Sequence, residues 1–230
     1  LYEFVVKHRS SIPAKAVERV KQTHKNGKKL LCRYFMGQRL VGARLFYDDG
    51  VCHLEYGITN RRKHGNHYEW DSDGKFMFHE KYRNGVAHGL ARQWSTVNGR
   101  LIGSFQMKNG SGIDMWWQEY TRRPHLSEVR YMKDGLLHGV EWWVDSNQKS
   151  VWSERHWYNG RWHGIDRQWD HHGKLDTGFP KYYVNNREVT PKAYAKRCET
   201  DSTLQRYRVE DDRPQRTFPP EIRRHFRRRK

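Results

Sequence analysis

"YNGRWHGIDRQWDHHGK", residues 158–174, carries the pattern that decides the fold: a turn pair, a His-Gly a few residues later, and then a tryptophan. The phrase returns, reworded, as "YRNGVAHGLARQWSTVNGR" from Tyr82 and "MKDGLLHGVEWWVDSNQK" from Met132. Aligned on their turn pairs, Asn84-Gly85, Asn109-Gly110, Asp134-Gly135 and Asn159-Gly160 recur every 25 residues, with Asn60-Arg61 one unit earlier and Asn185-Asn186 one unit later. A second set falls roughly midway: Asp49-Gly50, Asp73-Gly74, Asn98-Gly99, Ser146-Asn147 and His172-Gly173. Asn-Gly and Asp-Gly favour two-residue primed turns, because both central positions need positive φ and these residues tolerate it. Turns at this spacing leave room only for short strands, so the period predicts an antiparallel meander.

Alternation along each unit supports the strands. Counted from the second glycine of each unit (Gly42, Gly65, Gly89, Gly112, Gly139, Gly164), the fifth residue onward is Tyr47, Trp70, Trp94, Trp117, Val144 and Trp169. Leu45, Tyr68, Leu90, Ile113, Met115, Val140, Trp142 and Ile165 share that parity, whereas Arg44, Glu69, Gln93, Asp114, Glu141, Asp166 and Gln168 fall between and are expected to face solvent. The rings are expected to stack on their equivalents from repeat to repeat, since one unit alone cannot bury them. The following glycine lets the new strand start close to its neighbour or bulge there.

Bulk composition agrees with a ring-built core: 35% of residues are hydrophobic, yet 14% are aromatic, which favours strands over a helical bundle. The net charge of +18 suggests an acidic partner and is concentrated at the ends. Residues 1–30 carry eight Lys/Arg against two acids, and residues 192–230 carry thirteen against six. Cys32, Cys52 and Cys198 are odd in number and far apart, which argues against a disulfide framework and for a reducing, cytoplasmic location. No apolar run reaches the ~18 residues of a spanning helix and no secretory core opens the sequence. It begins at Leu1 rather than Met, which leaves a leader or an upstream domain open.

These residues resemble MORN-type repeats, most closely the divergent form in the bacterial YwqK-type antitoxin component family. The resemblance rests on "KNGKKLLCRYFMGQRLVGARLFYDDG" (25–50), "TNRRKHGNHYEWDSDGK" (59–75), "YRNGVAHGLARQW" (82–94), "MKNGSGIDMWWQEY" (107–120), "MKDGLLHGVEWW" (132–143) and the opening stretch, and covers about residues 16–198. The closing "YYVNNREVTPKAYAKRC" (182–198) is similar to the way such arrays end, stepping into a capping helix with Thr190 as N-cap and Pro191 in the first helical position. "NGSGID" departs by lacking the His-Gly pair, and Thr121-Arg122-Arg123-Pro124 replaces the usual glycine turn. The resemblance implies an elongated, curved single-layer sheet that binds something and has no chemistry of its own. Its antitoxin label implies a protein partner neutralised by direct contact.

Chemical constellations are sparse. His64, His88, His138 and His163 precede the repeat glycines and should form a ladder along one edge, shaping the loops through side-chain hydrogen bonds. Their spacing of roughly 9–10 Å is too wide for a metal site. No nucleophile elbow, phosphate-binding glycine loop, paired-cysteine zinc motif or His-Glu-x-x-His occurs. Asn109-Gly110-Ser111 matches a glycosylation acceptor, but the repeat turn accounts for it.

The fold expected is therefore all-β: an elongated single-layer antiparallel meander of MORN-like β-hairpin repeats with a short C-terminal capping helix. It divides into an N-terminal extension (1–15), an array of about six full repeats plus a partial first (16–190), the cap (191–204) and a Pro-containing linker with a basic tail (205–230). The function expected is a non-catalytic protein-interaction module, without cofactor, metal or small-molecule substrate, whose partner is a protein such as a toxin. Trp116, Trp142, Trp143 and Trp162 are the candidate contacts; Trp142 lies on the core stripe and the other three lie off it. The alternative is an anionic membrane or nucleic acid bound through the basic ends, with Arg223, Arg224, Arg227, Arg228, Arg229 and Lys230 as the candidate grip.

Overall fold

A computed structural model describes residues 11–119 and 124–226 of the chain. The expected turn at Thr121-Arg122-Arg123 and the charges of Arg227, Arg228, Arg229 and Lys230 lie outside the described residues, as do positions 1–10 of the N-terminal extension. The fold is all-β, with short helices only near the C-terminal end of the described residues.

The chain forms two compact units, Leu1–Gly110 and Ser111–Lys230. The first holds β1 (Val17–Thr23), β2 (Lys29–Met36), β3 (Arg39–Phe46), β4 (Cys52–Thr59), β5 (Arg62–Trp70), β6 (Phe76–Arg83), β7 (Val86–Ala87), β8 (Gly89–Trp94) and β9 (Leu101–Lys108). The second holds β10 (Ser111–Gln118), β11 (His125–Lys133), β12 (Leu136–Val144), β13 (Val151–Tyr158), β14 (Arg161–Trp162), β15 (Gly164–Gln168), β16 (Lys181–Val184) and β17 (Arg187–Val189). It ends with α1 (Pro191–Cys198), a single 3-10 turn at Val209–Asp212, and α2 (Pro220–Arg223). Within each unit, successive strands pair antiparallel as hairpins.

The turns explain the period. Asn60-Arg61, Asn84-Gly85, Asn109-Gly110, Asp134-Gly135, Asn159-Gly160 and Asn185-Asn186 all have positive φ at both positions, the backbone of a primed hairpin turn. The midway turns are built differently. Only one residue of each is left-handed, such as Gly50, Gly74 and Gly173, and in the fourth that residue is Gln148, so the turn falls later than the expected Ser146-Asn147.

Five of the six primed turns are also tied to the repeat before them. The backbone N–H of Asn84, Asn109, Asn159 and Asn185 donates to Nδ1 of His64, His88, His138 and His163, at 3.5, 3.1, 3.4 and 3.2 Å. In the repeat that lacks His-Gly, the Ser111 hydroxyl takes over and accepts from the N–H of Asp134 at 3.0 Å. The histidine ladder is thus a set of loop staples, and the strand pairing shifts register where the His-Gly pair passes.

The core follows the ring stripe with two corrections. Trp70, Trp117, Val144 and Trp169 are buried. Trp70 does not meet Trp94 directly: Phe76 stands between them, with ring centroids 6.0 and 4.8 Å away. The polar positions expected in solvent are largely buried too, among them Arg44, Gln93, Glu141 and Asp166. They tolerate this because they pair across strands, as Arg44 Nε does with Glu55 Oε2 at 2.8 Å.

Both terminal stretches pack on the strands. Ser11 N–H donates to Glu55 Oε1 at 2.7 Å, and Ile12 is buried with Ala16, Cys32, Tyr34 and Val41. Gly42 is what allows this approach, since a Cβ there would lie 2.4 Å from Ile12 Cγ1. At the other end Thr190 caps α1 by accepting from Ala193 N–H at 3.3 Å, with Pro191 opening the helix as expected. The helix stops at Cys198, short of the expected residue 204, but Leu204 is buried in the same cluster as Ile165, Tyr182 and Tyr194. The described part of the supposed linker and tail, residues 205–226, is no free linker: Phe218 and Ile222 are buried, and Val151 N–H donates to the Pro214 carbonyl at 2.9 Å.

Candidate binding surface

Cross-strand register sorts the side chains of the second unit onto two faces. One carries the ladder Met115, Val129, Trp142, Glu154 and Arg167 from β10 through β15. The other carries Asp114, Arg130, Glu141 and Arg155, flanked by Trp116, Glu128, Trp143 and Ser153.

The first face lies under the chain's own C-terminal segment. Arg167 is fully buried and binds Glu154 Oε1 through Nη1 and Asp212 Oδ1 through Nε, each at 3.0 Å. Arg216 Nε reaches Glu154 Oε2 at 2.6 Å, and Trp142 Nε1 donates to the same oxygen at 2.8 Å. Trp169 Nε1 donates to the Asp212 carbonyl at 2.7 Å. Phe218 packs edge-on against Trp142 with ring centroids 5.3 Å apart, and His225 meets Trp117 at 5.7 Å. Burial pushes the Glu154 carboxyl up, but His156, Arg216 and the Trp142 hydrogen bond outweigh it, and the group sits below the ordinary carboxylate range. Burial lowers His156, with Glu154 and the hydrogen bond to the Ile165 carbonyl opposing it.

The second face is half-exposed and mixes rings with charges. Arg130 contacts Asp114 Oδ2 at 2.9 Å and Glu128 Oε1 at 3.5 Å, and lies over the Trp116 ring at 5.9 Å. Arg155 lies 3.6 Å from Asp166 Oδ1 and over the Trp162 ring at 5.3 Å. Trp157 Nε1 donates to Glu141 Oε2 at 2.9 Å, and the Trp162 ring packs edge-on against Trp157 and Tyr183. Burial pushes the Glu128 carboxyl up to about 7; Arg130 opposes the rise, while Glu141 and Asp114 add to it. Burial likewise raises Asp166, against Arg155 and Lys181. Glu128 is therefore the group of this face whose charge changes near neutral pH.

Register places Trp116, Trp143 and Trp162 on the same half-exposed face, with Trp162 four residues along the strands from the level of Trp143. Trp142 points to the opposite face, where Phe218 and Glu154 engage it. Arg223 and Arg224 are exposed at the end of α2, beside the buried Ile222. Sequence reasoning missed Glu154, Arg167 and Arg216. The available signal was the apolar spacing Phe218, Ile222, Phe226, four residues apart, within a segment otherwise full of proline and arginine. Among the described residues, no helix is long and apolar enough to cross a membrane, and no group of three His, Cys, Asp or Glu is placed to hold a metal.

No family model matches the chain, and no curated protein does. Among solved structures it is similar to TarM, at 16% identity over 45% of this chain, with a TM-score of 0.24. It is also similar to a mutant of S. aureus TarM in complex with fondaparinux, α-GlcNAc-glycerol and UDP, at 15% identity over 46% of this chain, again with a TM-score of 0.24. The matched part spans 22% of either TarM chain.

Proposed function

We propose that this chain is a non-catalytic interaction module of the MORN-like kind, related to the YwqK-type antitoxin components, which docks a protein partner such as a toxin on the half-exposed face of its second unit. The observation that carries the reading is that Trp116, Trp143 and Trp162 share one face with Arg130 and Arg155, which lie over the Trp116 and Trp162 rings, while the opposite face is closed by the chain itself. Tryptophan and arginine in partly desolvated surroundings are the residues that dominate protein interfaces. The salt-bridged acids between them set register for a partner of mixed charge. The three unpaired cysteines support a reducing compartment such as the cytoplasm.

A second reading, an anionic membrane or nucleic acid, is supported by the exposure of Arg223 and Arg224. One experiment separates the two: capture from host lysate by the full chain, by W116A/W143A/W162A, and by R223E/R224E, each at low and moderate salt, with the retained species identified. The proposal expects one protein that survives salt, is lost by the tryptophan variant and is kept by the arginine variant. Capture that needs Arg223 and Arg224 and fades with salt would replace it with the second reading. Deleting residues 213–230 is not a clean alternative, because Arg216, Phe218 and Ile222 belong to the packed fold.

A further inference from the structure

We propose that a cavity beside α1, separate from the tryptophan face, binds a small planar aromatic mono-anion. The cavity holds about 630 Å³ and lies where β16, α1 and the residues following α1 meet. That is the size of an ordinary small-molecule site. Tyr182, Tyr194 and Tyr207 wall it, with ring centroids 5.0 Å apart for Tyr182–Tyr194 and 6.3 Å for Tyr182–Tyr207.

What the walls offer is decided by where their polar hydrogens already go. The Tyr194 hydroxyl donates to the Gln205 carbonyl at 2.7 Å and the Tyr207 hydroxyl to Asp212 Oδ2 at 2.6 Å. The Cys198 thiol, also in the lining, sits 3.8 Å from that same Gln205 carbonyl. With these donors engaged, a ligand meets mainly ring faces, which favour a flat aromatic guest in offset or edge contact, and among the described residues no hydrogen bond engages the Tyr182 hydroxyl.

Charge narrows the class. Arg206 stands at the rim, and among the described residues no ion pair or hydrogen bond engages its guanidinium. Its field reaches the lining: burial raises the Cys198 thiol, while Tyr194 and then Arg206 oppose that rise. A free guanidinium favours a carboxylate or sulfonate on the guest. Glu199 lies on the same rim and opposes a second negative charge, which selects a mono-anion over a nucleotide or other polyphosphate.

The test titrates 2-naphthoate, and the neutral 2-naphthamide beside it, into the full chain by calorimetry. Naphthoate is expected to bind more tightly than naphthamide. Arg206→Gln should weaken naphthoate about tenfold, the worth of one charge-assisted contact, and leave naphthamide unchanged. Ala195→Trp, which fills the cavity from an exposed position on α1, should abolish binding of both without lowering the melting temperature. Bound naphthoate should also slow alkylation of Cys198, the one cysteine that is not buried. Equal affinity for the two probes, no binding at millimolar concentration, or unchanged binding by a folded Ala195→Trp variant would each overturn the proposal.

Discussion

The strands of the second unit present two charged faces that behave differently. On one, the side chains of Arg167 and Glu154 are 0% and 5% exposed and are held by Asp212 and Arg216 from the C-terminal segment. On the other, Arg130 and Arg155 keep 28% and 33% of their surface in water while pairing with Asp114 and Asp166. Both carry arginine–carboxylate pairs, so charge alone does not distinguish them. Dehydration does: a buried pair cannot lose one partner without stranding the other, whereas a half-exposed pair can exchange a protein neighbour for water or for a ligand. The covered ladder is therefore part of the fold, and the open one is available for recognition.

The largest expected effect tests the covered ladder. Arg167→Met takes the guanidinium away from Asp212 and from one Glu154 oxygen, leaving Glu154 to Arg216 and Trp142, and should cost about 4 kcal/mol in urea unfolding, against about 1 kcal/mol or less for Arg130→Met on the open face. Equal costs would break the comparison. Next in size, Phe218→Ala removes a buried ring from above Trp142 and should cost about 3 kcal/mol. A red shift of tryptophan emission should accompany it as Trp142 gains water.

Acid should weaken the fold by a smaller and graded amount. Burial depresses His79 to about 4, and lowers His67, His156 and His163 below the ordinary imidazole value. For a group whose folded pKa is below its unfolded value, the unfolded chain takes up the proton first as pH falls. Stability should thus be full above about pH 6.5 and decline toward pH 4. Melting temperatures measured at intervals between those limits should fall, and His79→Gln should flatten the slope.

The smallest effect has the opposite sign. Glu128 has a folded pKa of about 7, above the ordinary carboxyl value, so its burial is penalised once it ionises at higher pH and relieved as pH falls through 7. Glu128→Gln should raise stability at pH 8 by about 1 kcal/mol and lose that advantage at pH 5.

Much of the architecture was legible because it is local. Asn-Gly and Asp-Gly specify their turn through the φ values of two residues, and all six pairs adopt it, even Asn60-Arg61 and Asn185-Asn186 without the glycine. The ring stripe was legible from alternation and the cap of α1 from Thr190-Pro191. What was not legible depends on distant contacts. Glu141 and Asp166 look like surface acids until cross-strand register supplies Trp157 and Arg155. Arg216 looks like tail charge until folding brings it 62 positions back along the chain to Glu154. Strand parity places Trp116, Trp143 and Trp162 on one face and Trp142 on the other.

The claim on which both faces depend is that residues 205–226 are folded against the strands. Hydrogen exchange on the intact chain measures this directly at the amides of Val151, which bonds to the Pro214 carbonyl, and Arg216, which bonds to the Lys149 carbonyl. Both amides, with that of Ile222, should be protected at least about 100-fold over a free peptide. Exchange of Arg216 and Ile222 at the free-peptide rate would mean a detached tail, would leave Trp142 and Trp117 uncovered, and would contradict the division into a closed and an open face.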